Sequence, residues 1–270
     1  RPLAKDAKGR ALGLRELGRQ GRWREVMGDL LLMFREGPEP NVITLGVTIT
    51  ACEKCMQWRQ AVHSLVEMRR QSLDGPNVIH YNGGISACEK GRQWQRSLQL
   101  FLELREHGVQ GSAITQNAAV SACEKGQQWQ RAVLQLAEMQ YRCFQPNEIT
   151  FNAALSACSS DQRWELALGV LSELEQQGVR PSVITCNAAV SACEKGQQWR
   201  PALGLLAALQ RRNLDPIVST FNVAVSACEK GFQWQQAMLL WMQMRWLSLE
   251  PDVVTSNAAI SACSAGLEWR

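Results

Sequence analysis

Apolar residues in this chain recur at helical spacing, and the arrangement repeats along the sequence. Between Ala113 and Asn147, the residues Trp129, Ala132, Val133, Leu136 and Met139 fall at i, i+3, i+4, i+7 and i+10, one face of a helix. Just upstream, Gln116, Ala119, Val120 and Cys123 gather on one side of another segment when residues advance about 100° each. The pattern predicts a first helix over Ala113–Lys125 and a second over Gln128–Tyr141. Gly126 is expected to end the first in the left-handed conformation that glycine favours, and Pro146 to stop the second from running on. Two short helices with two breaks make an αα-hairpin.

That hairpin is written many times. Tryptophans stand at Trp23, Trp58, Trp94, Trp129, Trp164, Trp199, Trp234 and Trp269, every step 35 residues except one of 36, whose extra residue lies in the connection Ser72–Asn77. The segment NAAVSACEKGQQW occurs at both Asn117–Trp129 and Asn187–Trp199, with near-copies from Asn82, Asn152 and Asn222. The expected units are a degenerate first repeat at 7–41, then 42–77, 78–112, 113–147, 148–182, 183–217 and 218–252, and a partial eighth at 253–270. The fold class expected is all-α, a right-handed α-solenoid of helix-turn-helix repeats. The chain reads as a piece of something longer.

Each first helix carries another stripe, formed by its second, fifth, ninth, twelfth and thirteenth residues. In one copy these are Ile114, Asn117, Ser121, Glu124 and Lys125. A solvated face would vary from copy to copy, so the recurrence of Asn, Ser and Lys points to a repeated contact. Asn is also a good helix-capping residue, so its return could mark a cap or brace.

Composition adds little to this picture. With 46% hydrophobic and 20% charged residues the chain is ordered, and no apolar run approaches the roughly 20 residues that cross a bilayer. The net charge is +4, yet residues 1–25 alone carry +5, so the rest sums to −1 and bulk charge does not announce a nucleic-acid binder. Cys52, Cys88, Cys123, Cys158, Cys193, Cys228 and Cys263 return once per unit inside Ala-rich helices, as small buried apolar side chains do. The large aromatic Trp ladder is expected to pack rather than to stack on a ligand.

The 35-residue hairpin, the openings Val78-Ile79-His80-Tyr81-Asn82 and Glu148-Ile149-Thr150-Phe151-Asn152, and the endings Pro146-Asn147 and Pro251-Asp252 resemble the pentatricopeptide repeat family. The resemblance implies single-stranded RNA as partner, one base per repeat, in RNA processing, stability or translation in a plastid or mitochondrion. It implies base-reading roles for Asn82, Asn117, Asn152, Asn187, Asn222 and Asn257, acting with the last residues Asn77, Ser112, Asn147, Ser182 and Asp252. It assigns Ile43, Ile79, Ile114, Ile149, Ile184 and Val254 to the base faces, and Lys54, Lys90, Lys125, Lys195 and Lys230 to phosphate. Along Asn82 to Asn222 it implies roughly C, pyrimidine, C, an unassigned base and U. Gly46, Ile217 and Ser219 depart from the pattern at the fifth, last and second positions, and Ser160-Asp161 replaces Lys-Gly. Leu45, Gln116, Cys186 and Ser256 replace the usual aromatic at the fourth position.

No catalytic constellation competes. Cys52 and Cys55 form a lone CxxC pair without the further ligands a metal site needs, and His63, His80 and His107 share no spacing. Neither cofactor, metal, enzyme activity nor membrane partner is expected, protein partners stay open, and a monomer is expected. The alternative reading is a solenoid scaffold whose Asn/Ser groove holds a peptide or partner protein.

Overall fold

A computed structural model describes residues 7–36, 40–71, 75–142 and 144–266. Trp269, the charged Arg1, Lys5 and Asp6, and Ser72, Leu73 and Asp74 of the longer connection lie outside the described residues. The described elements are helices throughout, in two compact units, Arg1–Gly126 and Gln127–Arg270. The first unit holds α1 (Ala7–Arg19), α2 (Trp23–Glu36), α3 (Val42–Lys54), α4 (Trp58–Gln71), α5 (Val78–Lys90), α6 (Trp94–Glu106) and α7 (Ala113–Lys125). The second holds α8 (Trp129–Tyr141), α9 (Glu148–Ser160), α10 (Trp164–Gln176), α11 (Val183–Lys195), α12 (Trp199–Arg211), α13 (Val218–Lys230), α14 (Trp234–Trp246) and α15 (Val253–Ala265). Within each unit, odd-numbered helices pack on one another in sequence, α1 on α3, α5 and α7, then α9 on α11, α13 and α15. Each even-numbered helix wedges against the odd-numbered helix that follows it. The all-α hairpin array expected from the periodicity is the observed fold.

Helices α3, α5, α7, α9, α11 and α15 each start on a side-chain cap. Ser112 is extended at φ −85° and ψ 168°; its hydroxyl accepts the Thr115 N–H at 3.3 Å while Thr115 Oγ1 accepts the Ser112 N–H at 2.9 Å. Two otherwise orphaned N–H groups are thereby satisfied reciprocally. Ser182 and Thr185 repeat the arrangement, and Asn41, Asn77, Asn147 and Asp252 cap with their side-chain oxygens. The capping residue is therefore the last residue of each unit. The recurring Asn lies a turn inside the helix.

Two expectations about the breaks are corrected. Gly126 sits at φ −86°, and the left-handed residue is the next one, Gln127, at φ 56°. Met56, Arg92, Gln162, Gln197 and Phe232 hold the same conformation at the same place in their repeats. The glycine is demanded by packing instead: a Cβ on Gly91 would meet Trp58 Cδ1 at 2.6 Å. Gly126, Gly196, Gly231 and Gly266 seat Trp94, Trp164, Trp199 and Trp234 in the same way. Where Asp161 stands in for the glycine, the Arg163 guanidinium lies 5.0 Å from the Trp129 ring centroid. The second correction is that α8 begins at Trp129, because Gln128 is non-helical at φ −106° and ψ 71°.

The core runs as hydrophobic clusters between stacked helices within each unit. Gln116, Ala119, Val120 and Cys123 are buried as the periodicity predicts, and the tryptophans pack partly buried against such clusters. Tyr81, Phe151 and Phe221 are fully buried at the fourth position, where Leu45, Gln116 and Cys186 are also buried. Burial pushes the thiols of Cys52 and Cys88 up to about 12 and those of Cys158, Cys193 and Cys228 up to about 11, which leaves them protonated and inert.

Candidate functional site

At Asn82 and Asn222 the fifth residue of an odd-numbered helix joins two repeats. Asn82 Nδ2 donates to Ser112 Oγ at 3.4 Å, and Asn82 Oδ1 accepts from Thr115 Oγ1 at 2.5 Å. Thr115 in turn is held by the cap, so the amide, the cap and the threonine close one ring of hydrogen bonds. At the far end of the second unit, Asn222 Nδ2 donates to Asp252 Oδ2 at 2.8 Å, and its Oδ1 faces the Thr255 hydroxyl. A carboxylate accepts only, so Asp252 fixes which end of the Asn222 amide turns toward it. Hydrogen bonds from the Thr255 N–H and hydroxyl, then from Asn222, hold the Asp252 carboxyl below its usual range.

An amide has two donors and two acceptor lone pairs. The ring at Asn82 uses one of each and leaves one of each, in a fixed orientation. Two copies break the ring. Thr185 donates instead to Glu148 Oε1 at 3.2 Å, Ile217 offers Asn187 Nδ2 no side-chain acceptor, and the Oδ1 atoms of Asn152 and Asn187 are buried without a hydrogen-bond partner. Asn257, on the last described helix, is exposed.

Beside this row runs an apolar one. Ile43, Ile79, Ile114, Ile149, Ile184 and Val254 are exposed, from 54% at Ile43 to 72% at Ile79. They sit three residues before the fifth position, hence on the same helical face. A branched aliphatic left in solvent once per repeat is not required by the core.

The lysines are engaged with neighbouring repeats. Glu53 Oε1 accepts from Ser86 Oγ and Lys90 Nζ, each at 3.0 Å; Glu89 takes Ser121 and Lys125 at 2.9 and 2.8 Å. Glu194 receives Ser226 at 3.0 Å and pairs with Lys230. This ladder supplies a repeat-to-repeat reason for Ser, Glu and Lys to recur. In α9 the glutamate is replaced by Ser159, which donates to Ser191 at 3.2 Å, and Lys195 has no acidic partner among the described residues. Lys54 donates to the Arg19 carbonyl at 3.3 Å.

Two groups of residues escaped the sequence reading: the ninth and twelfth positions as the ladder's acceptors and donors, and the threonine at the third position. The signal for the latter was present, since Thr44, Thr115, Thr150, Thr185, Thr220 and Thr255 recur and are fully or almost fully buried.

A pentatricopeptide repeat domain model matches residues 134–196 and 169–231, and a single-repeat model of the same family matches 79–109. Residues 79–109 and 134–231 are pentatricopeptide repeats. Among solved structures it is similar to the pentatricopeptide repeat protein PPR10 from maize, with 25% identity and a TM-score of 0.74 over 96% of this chain and 37% of that one. A structure of PPR10 in complex with an 18-nt psaJ RNA element matches at 19% identity and TM-score 0.77, covering 99% of this chain and 39% of that one. The repeat domain of Arabidopsis thaliana protein-only RNase P 1, in complex with tRNA, matches at 16% identity and TM-score 0.58 over 67% of this chain and 95% of that one. The chain thus spans 37% to 39% of the PPR10 chains it resembles. No curated protein matches it. Among the described residues, no helix is long and apolar enough to cross a membrane.

Proposed function

We propose that the protein binds single-stranded RNA along the exposed face of its odd-numbered helices, one base per repeat, without catalysing a reaction itself. The observation that carries this reading is a row of solvent-exposed branched aliphatics beside a row of asparagine amides, oriented by hydrogen bonds at Asn82 and Asn222. The aliphatic offers a flat apolar contact to a base face, while the amide's remaining donor and acceptor meet its Watson–Crick edge. A pyrimidine bias follows the Asn-with-Ser pairings at Asn82 and Asn152, the Asn-with-Asp pairing at Asn222 and the fifth-position asparagine Asn117, by likeness to the family. Solved relatives in complex with RNA support the partner class. The same likeness supports a role in processing, stability or translation of transcripts in a plastid or mitochondrion, and action as a monomer.

A second reading is favoured by the ladder: Lys90, Lys125 and Lys230 are already paired with glutamates, which lowers the charge available to phosphate and suits a peptide-binding scaffold. Equilibrium binding to pyrimidine-rich RNA, purine-rich RNA and the matching DNA across a salt series separates the two. RNA binding predicts a pyrimidine preference that is lost in Asn152→Ala/Asn187→Ala, whose amide oxygens make no hydrogen bond that truncation would cost the fold. A folded protein with no salt-dependent RNA binding sinks the RNA reading.

A further inference from the structure

The junction between α3 and α5 departs from the other junctions at two places that face each other. Gly46 stands where Asn stands in the following repeats, and His80 stands where threonine stands in the others. The two substitutions are sterically matched. A Cβ on Gly46 would lie 2.8 Å from His80 Nε2 and 3.1 Å from its Cδ2, so the imidazole fills the space in which an asparagine side chain would begin.

His80 also keeps the threonine's other duty. Its Nδ1 accepts the Asn77 N–H at 3.2 Å, as Thr115 Oγ1 accepts the Ser112 N–H. That bond assigns the ring's proton. With Nδ1 an acceptor, a neutral imidazole carries its hydrogen on Nε2. Burial lowers the pKa of His80, which favours the neutral ring at neutral pH. The edge presented at the fifth-residue position is therefore a single N–H donor, whereas Asn82 presents one donor and one acceptor.

Beside it lies a cavity of about 500 Å³, with Ile43, Gly46, Ile79 and His80 in its lining. Ile43 and Ile79 are the exposed aliphatics of the two successive repeats, so they flank the slot, and Arg15, Arg19 and Lys54 bring cations to it. Resting on the RNA-binding reading above, we infer that His80 replaces asparagine as the base-reading residue at this junction and selects a purine nucleotide. The slot has room for the two-ring base, the Nε2–H donates to a purine ring-nitrogen acceptor, and the cations serve the adjoining phosphate.

Two variants test this without disturbing the cap. His80→Thr installs the residue that caps the corresponding helices elsewhere in this chain, and Gly46→Asn/His80→Thr restores the whole Asn–Thr pair. The wild type and both variants are incubated with a library of short RNAs randomised at every position, and the bound fraction is sequenced. The wild type is expected to enrich purine over pyrimidine by about three- to tenfold at one position, the worth of one hydrogen bond. His80→Thr is expected to level that column, and the double variant to turn it to pyrimidine, all other columns staying as they were. Wild-type enrichment whose profile is identical in both variants overturns the role of His80 and leaves the RNA reading standing. A pyrimidine at that position in the wild type does the same. No enrichment by any of the three proteins overturns the RNA reading and this inference with it.

Discussion

A Cβ on Gly196 would meet Trp164 Cδ1 at 2.5 Å, whereas Gln197 beside it holds φ 58° with its side chain in solvent. The indole is held by the core, so it cannot retreat far. Gly196→Ala is expected to destabilise the protein by about 1–3 kcal/mol, an overpacking cost, in urea unfolding. Gln197→Gly relieves a left-handed residue but frees the unfolded chain, and these terms nearly cancel to within about 0.5 kcal/mol. The opposite ranking would mean that the glycine serves the turn. His80 yields a pH prediction of the same local kind. Burial lowers its pKa from the ordinary value of 6.5, so the unfolded chain takes up a proton before the folded one. Its contribution is at full strength above the unfolded pKa, and stability falls as pH drops through it toward the lower folded pKa. Comparing denaturation midpoints of wild type and His80→Thr between neutral and mildly acidic pH checks this: the fall should be shallower in the variant.

Between elements, the ladder of glutamate, serine and lysine shows how one stripe can be both glue and surface. Lys230 and Glu194 are 41% and 15% exposed, so screening limits the pair, and Glu194→Gln should cost only about 0.5–1 kcal/mol, less at high salt. Ser159→Glu, which writes the missing rung between α9 and α11, should gain a similar amount by recruiting Ser191 and Lys195; thermal melts at low and high salt read both. The sequence made the rows legible because a 35-residue period places equivalent residues on equivalent faces. Helix α7 ends at Lys125 as the periodicity predicts, and the buried stripe Gln116, Ala119, Val120 and Cys123 lies where a 3.6-residue turn puts it. What periodicity does not encode is which partner a recurring residue meets. Gly126 was expected in the turn because glycine commonly ends helices, yet Trp94 from the preceding repeat dictates it. Lys90 and Lys125 recur for Glu53 and Glu89, a contact between copies that no single copy displays. Glu148 likewise diverts Thr185 from Asn152 only because α9 and α11 are stacked.

For the molecule as a whole, the electrostatics are set by pairing more than by composition. The formal charge is +4, but Lys90, Lys125 and Lys230 are each matched by a glutamate and contribute little field beyond a Debye length, about 8 Å at physiological salt. Lys195 has no acidic partner among the described residues, Lys54 meets only the Arg19 carbonyl, and Arg15, Arg19 and Lys54 gather at one cavity. If about two to four of these neutralise phosphates, log K should fall against log salt with a slope of about −1.5 to −3. Lys195→Ala should then flatten the slope by about 0.7, the share of one phosphate on a single strand. Lys230→Ala should leave the slope unchanged while lowering stability, because its charge is already spent on Glu194. Equal flattening by the two variants would show that Lys230 leaves Glu194 when RNA arrives. The ladder would then be a store of cations released on binding, and Glu194 a competitor that weakens RNA affinity while holding the repeats together.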